Sequence, residues 1–167
     1  MKAVLFDLDE TLLDRRASLR VFIKEQRERL GKELKEMNER WYEDDFLKWD
    51  NNGYVTKDIV YQKLIDKYNI KSFTAAELLQ DYEAFFYTSC ISFTNLISTL
   101  AQLQEQSMKL GIVTNGKKDF QQKNIEALGI VEYFKSIVIS EAAGVRKPDP
   151  AIFLQAADEL GVQPKDC

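Results

Sequence analysis

With 167 residues, 45% of them hydrophobic and 30% charged, the chain has enough apolar material for one well-buried domain and a small inserted one. Its net charge is −4, and its basic residues are interleaved with acids, as in KEQRERLGKELKEMNER, so no face gathers the positive field that nucleic acid or anionic lipid requires. There is no histidine, which excludes a Ser-His-Asp triad, a Cys-His pair, a His-Cys zinc site and a histidine proton shuttle; acid–base chemistry is left to carboxylates, Lys, Tyr or metal-bound water, and any metal to oxygen donors.

The N-terminal MKAVLFDLDE carries one Lys and a short apolar stretch before acids begin, too little for a signal-peptide core, and no run is long enough to span a membrane. A cytoplasmic location is expected. The first run, KAVLF (2–6), is apolar, β-branched-rich and non-alternating, as are KLGIVT (109–114) and SIVIS (136–140). Strands buried on both faces of a parallel sheet read this way.

Between the first and second runs the chain is charged and amphipathic, and predicts helices near 15–36, 38–50, 56–68 and 75–88. Asn51, Asn52 and Gly53 break the middle, and Thr74 caps the last. A further helix at about 93–106 returns to the sheet. The aromatics Trp41, Trp49, Tyr54, Tyr61, Tyr82, Phe85, Phe86 and Tyr87 concentrate here, and most are expected in a small core. Cys90 and Cys167 form no metal spacing and no disulfide framework, so both are expected as reduced thiols, Cys90 at least half-buried.

After the second run, DFQQKNIEALGI suits a helix packed on the sheet through Phe120, Ile125 and Leu128 and stopped at Gly129. After the third, PDPAIFLQAADELG starts with Pro and ends at Gly161, another helix over the same sheet. The alternation implies an α/β fold, a Rossmann-like parallel sheet with an inserted α-helical cap: residues 1–14 and 93–167 form the sheet domain, and 15–92 the cap, over the strands' C-terminal edge.

Asp7 and Asp9 follow the first strand in FDLDETLLD, and their i, i+2 spacing puts both carboxylates on one side of extended chain. Such a pair is costly unless a cation or protons relieve it, which suggests a magnesium site or an acid–base device; an N-capping turn before the next helix uses the same residues. Thr114 and Asn115 in IVTNG offer a hydroxyl, an amide and Gly-permitted backbone N–H groups that suit an oxyanion, or simply a turn. Lys147 in GVRKPDP is a cation between two prolines, or a solvated charge. Order separates these readings: acids after strand one, hydroxyl after strand two, cation after strand three, all brought to one edge by parallel strands.

FDLDETLLD, IVTNG and VRKPDP, in that order, resemble the first three motifs of the haloacid-dehalogenase-like hydrolases, and the helical insertion resembles the cap of their helical-cap branch. The resemblance implies a magnesium-dependent phosphatase acting on a small phosphorylated metabolite. Asp7 would be the nucleophile, forming an aspartyl phosphate, and Asp9 the acid and then the base. Thr114, Asn115 and Lys147 would hold the phosphoryl oxygens, and magnesium would take Asp7 and Asp9, the latter through its backbone carbonyl. The family's fourth motif, acids after a further strand, has no counterpart before GVQPKDC, so the C-terminal strands are expected to be missing; a fragment of a longer protein is the expectation, and were 167 residues the natural length, magnesium would bind weakly and activity would be low or absent. Asp158, Glu159 and Asp166 are expected to be solvated rather than substitutes.

Asp9 favours phosphate-ester hydrolysis or a phosphomutase over dehalogenation, because dehalogenases of the family do not usually carry this second Asp. A phospho-acceptor signalling domain and an inactive, partner-binding relic are the readings from other classes. Neither nucleic acid nor membrane is expected as a partner, and the chain is expected as a monomer or weak homodimer.

Overall fold

A computed structural model of the chain describes residues 1–167. Three strands, β1 (Ala3–Phe6), β2 (Lys109–Thr114) and β3 (Ser136–Ile139), form one parallel sheet in the order β1-β2-β3. Leu5 pairs with Gly111 and Phe6 with Ile112 on one side; Val113 pairs with Val138 and Thr114 with Ile139 on the other. All three C-terminal ends therefore reach the same edge, and Asp7, Thr114 and the residues after Ile139 are delivered there by register alone. Buried on both faces, β2 carries the KLGIVT run that needs no polar alternation.

The chain divides into two compact units, Met1–Arg15 with Cys90–Cys167, and Arg16–Ser89. In the first, α6 (Leu96–Glu105), α7 (Lys118–Ala127), the short α8 (Ser140–Ala143) and α9 (Pro150–Glu159) accompany the sheet. Val113 and Val138 pack with Ile152 and Ala156 of α9, joined by Leu5, Ala143 and Val145. Asp149 caps α9, its carboxylate accepting from Ala151 N at 2.9 Å, with Pro150 at the first helical position. Gly111 lets the helix approach: a Cβ there would lie 2.8 Å from Leu5 Cδ2 and 3.3 Å from Leu160 Cδ1.

The second unit is helical. The expected helix at 15–36 is two: α1 (Arg15–Leu30) stops at Gly31, whose φ of 99° no helix accommodates, and α2 (Lys32–Glu36) begins after it. Next come α3 (Glu39–Asp50), α4 (Lys57–Tyr68) and α5 (Ala75–Phe85). Thr74 caps α5 in a reciprocal box, accepting from Glu77 N at 3.2 Å while Glu77 accepts from Thr74 N at 2.8 Å. The core of this unit is Phe22, Tyr42, Phe46, Tyr61, Leu64, Leu78, Tyr82 and Phe86.

The expectation that most of the eight aromatics are core is corrected: Tyr61, Tyr82 and Phe86 are buried, whereas Trp41 (65% exposed), Tyr54 (87%), Phe85 and Tyr87 reach the surface. On α3 helix phase separates Trp41 from buried Tyr42, because adjacent positions on a helix point about 100° apart. No helix of the molecule is long and apolar enough to cross a membrane.

Candidate functional site

The loop after β1 is built around one buried residue. Leu8 is fully buried, and its carbonyl accepts from the amides of Thr11, Leu12 and Leu13 at 3.3, 2.9 and 3.0 Å. With Leu8 pinned inward, Asp7 and Asp9 flank it on the opposite side of the loop, Asp7 exposed and Asp9 half-buried. The Asp7 carboxylate accepts from Leu8 N at 2.7 Å, and its side chain is 45% exposed.

Lys147 meets it. The ammonium lies 2.6 Å from Asp7 Oδ1, across 140 residues of sequence, a distance that the strand order brings together and no local pattern encodes. Its approach is fixed from behind by Asn115, whose amide clips the Lys147 backbone in both directions: Oδ1 accepts from Lys147 N at 2.9 Å and Nδ2 donates to Lys147 O at 3.2 Å. The Asn115 amide is thus occupied in placing Lys147. The tip of β2 is tied to the end of β3, with Gly116 N donating to Ser140 Oγ at 3.0 Å and Glu141 accepting from Lys118 N at 2.7 Å.

Thr114 is fully buried, and its hydroxyl accepts from Gln121 Nε2 at 2.8 Å. The same nitrogen, whose two hydrogens serve three acceptors, lies 2.9 Å from Asp9 Oδ2 and 3.2 Å from Asn115 O, so one α7 side chain joins the loops after β1 and β2. The other Asp9 oxygen faces buried Arg15, with Nε 3.8 Å from Oδ1. Burial raises the Asp9 carboxyl above the ordinary range, against the lowering effects of the Gln121 hydrogen bond and of Arg15. The neighbouring Asp7 charge pushes it the same way as burial, and Lys147 opposes.

All five residues singled out in the sequence gather at this edge, but on different terms. Asp7 and Lys147 touch; Asp9 and Thr114 are joined through Gln121; Asn115 holds Lys147. Gln121 and Arg15 escaped the sequence reading. The buried stripe of α7 is Gln121, Asn124 and Ile125, with Phe120 and Leu128 only half-buried. A Gln and an Asn on the inward stripe of a sheet-packed helix were the available signal, because buried amides need partners. Arg15 left no comparable mark.

Asp158 is exposed as expected, but Asp166 pairs with Lys2 at 3.1 Å and Glu159 accepts from Ser136 Oγ at 2.7 Å, so these two are not simply solvated. Cys90 is half-buried, its thiol pushed up to about 12 by burial and then by the Asp9 charge, and it forms no disulfide. No group of three or more acidic or cysteine side chains is placed to hold a cation. For a metal at this edge, Asp7 would offer its carboxylate and Asp9 its backbone carbonyl. That set suits magnesium, which takes one or two carboxylates and completes its shell with waters and a substrate phosphate.

The sequence matches the haloacid dehalogenase-like hydrolases over residues 4–167. It is 33% identical to a glyceraldehyde 3-phosphate phosphatase of Methanopyrus kandleri, over 99% of this chain and 73% of that protein. It is 26% identical to a phosphoglycolate phosphatase of Aquifex aeolicus, over 99% and 73%. Among solved structures, the HAD-hydrolase YfnB from Bacillus subtilis bound to magnesium superposes with a TM-score of 0.74 at 25% identity, over 94% of this chain and 71% of that one.

Proposed function

Because this chain belongs to the haloacid dehalogenase-like hydrolases, we propose that it hydrolyses a small phosphate monoester through an aspartyl phosphate on Asp7. The observation that carries the reading is the Lys147 ammonium 2.6 Å from the Asp7 carboxylate, at an edge where Asp9 also stands. A nucleophilic carboxylate, a second acid and a fixed cation are the parts that phosphoryl transfer by a histidine-free chain requires.

In the first step an Asp7 oxygen attacks phosphorus, and the bond from phosphorus to the ester oxygen breaks. Asp9, whose burial favours the protonated form, gives its proton to the departing alkoxide. In the second step Asp9, now ionised, takes a proton from water as that water attacks phosphorus; the bond to Asp7 breaks and inorganic phosphate leaves. Lys147 neutralises charge on the phosphoryl oxygens, Asn115 keeps Lys147 in place, and the buried Thr114 hydroxyl is joined to Asp9 through Gln121. Magnesium, held by Asp7 and Asp9, would supply further positive charge to the phosphoryl group when bound.

The names of the relatives suggest short phosphorylated carboxylic acids and aldehydes as substrates. The test is release of inorganic phosphate from glyceraldehyde 3-phosphate, 2-phosphoglycolate and p-nitrophenyl phosphate, with magnesium and after chelation. Turnover that needs magnesium and vanishes in Asp7→Asn is expected. A folded wild-type protein that turns over none of the three overturns the reading.

A further inference from the structure

The function proposed above uses Asp9 and Thr114 but leaves unexplained what holds them in relation to each other. Gln121 does this, and its environment is more specific than a core packing role requires. It is 2% exposed on α7, and its Nε2 lies within hydrogen-bond distance of Thr114 Oγ1 (2.8 Å), Asp9 Oδ2 (2.9 Å) and Asn115 O (3.2 Å). The orientation of the amide is forced: Asn115 O is a backbone carbonyl and accepts only, so the NH2 group must face this cluster.

The opposite end is held as well. Gln121 Oε1 accepts from Asn124 Nδ2 at 3.2 Å, and Asn124 is fully buried one turn along the same helix. Space for the side chain comes from Gly116, which has φ 153° and no Cβ; a Cβ there would lie 2.8 Å from Gln121 Cγ and 3.2 Å from Cδ. A hydroxyl that accepts from Gln121 keeps its own hydrogen for another acceptor. With two hydrogens shared among three acceptors, the amide holds one Asp9 oxygen beside the Thr114 hydroxyl and leaves the other Asp9 oxygen toward Arg15.

We propose that Gln121 is a positioning residue that ties the acid–base group Asp9 to the Thr114 hydroxyl, so that both address one phosphoryl group from fixed places. Gln121 touches neither phosphorus nor the leaving oxygen. This inference rests on the phosphatase reading. Its signature is a dependence on the leaving group, because proton donation matters most when the departing oxygen is strongly basic.

The experiment measures kcat/KM for phenyl phosphate and p-nitrophenyl phosphate, close in shape but different in leaving-group basicity, in the wild type and in Gln121→Met. Met fills similar space and cannot donate. For Gln121→Met, the fall with phenyl phosphate is expected to exceed that with p-nitrophenyl phosphate by about 10-fold or more, within the range that general acids contribute. In an Asp9→Asn background the same substitution is expected to add no further leaving-group dependence. Equal falls for the two esters, or no fall, overturn the role of Gln121 while leaving the phosphatase reading intact. Absence of wild-type turnover overturns that reading instead. Should Gln121→Met fail to fold, Asn124→Leu withdraws the support behind Gln121 but keeps its amide. The same pair of esters is then compared, with an unequal fall supporting the role and equal falls, or none, overturning it.

Discussion

At the scale of single residues, the candidate site depends on which charges face each other. Asp7 to Asn keeps shape and removes the attacking oxygen's charge, so turnover is expected to fall to background while the thermal midpoint stays close to that of the wild type. Wild-type rate in Asp7→Asn would contradict Asp7 as nucleophile. For Asp9 the sign of its shift matters: a carboxyl raised by burial stays protonated to higher pH than an ordinary aspartate. With phenyl phosphate, kcat/KM is expected to fall as pH rises through that raised range, and a pH profile of Asp9→Asn should lack this limb. The two thiols differ in the same way. Cys90, half-buried with its thiol pushed up to about 12, is expected to resist a thiol-specific disulfide reagent at neutral pH, while exposed Cys167 reacts promptly. Prompt modification of both thiols in the native protein would refute this.

At the scale of elements, end contacts add to what the core of the helical unit supplies. The Thr74–Glu77 box closes the start of α5, and Glu33 on α2 accepts from the amides of Lys71 and Ser72 at 2.8 and 2.9 Å. Both carboxyls are lowered by these hydrogen bonds below their ordinary value of 4.5. A lowered acid stabilises the fold above its unfolded-state value and loses that contribution as pH falls through the folded one. The thermal midpoint is therefore expected to drop as pH is taken below about 4.5, and Glu77→Gln should flatten part of the decline. Thr74→Ala is expected to cost about 1 kcal/mol, measured by denaturant unfolding at neutral pH. Within the sheet, Gly111→Ala brings a Cβ against Leu5 and Leu160, and overpacking of this kind is expected to cost about 1–3 kcal/mol unless the Leu5 end group moves aside.

At the scale of the whole molecule, the helical unit is an insertion into a unit that the chain leaves and re-enters at neighbouring points. Asp14 N donates to Ile91 O at 2.8 Å, and Leu13 bridges to Ser92, so the exit and return segments are already paired. Replacing Arg16–Ser89 by a short Gly-Ser linker is therefore expected to leave a sheet unit that unfolds cooperatively; a featureless melt would show that it cannot stand alone.

What could be read in advance follows from the range of the interactions. The three strands, the capped start of α5, the Gly129 and Gly161 stops, and the order acids, hydroxyl, cation along the chain are properties of neighbouring residues, and the sequence by itself determined them. Parallel pairing then had one edge to deliver them to. The tertiary structure alone decided that Asn115 commits its amide to Lys147, that Gln121 rather than an apolar residue faces the sheet edge, and which aromatics turn inward. Helical periodicity defines a stripe but not what lies opposite it, and the partner of Gln121, Asp9, is 112 residues away. Contacts of that separation exist only after the strands have assembled, so their chemistry is written in packing and not in local pattern.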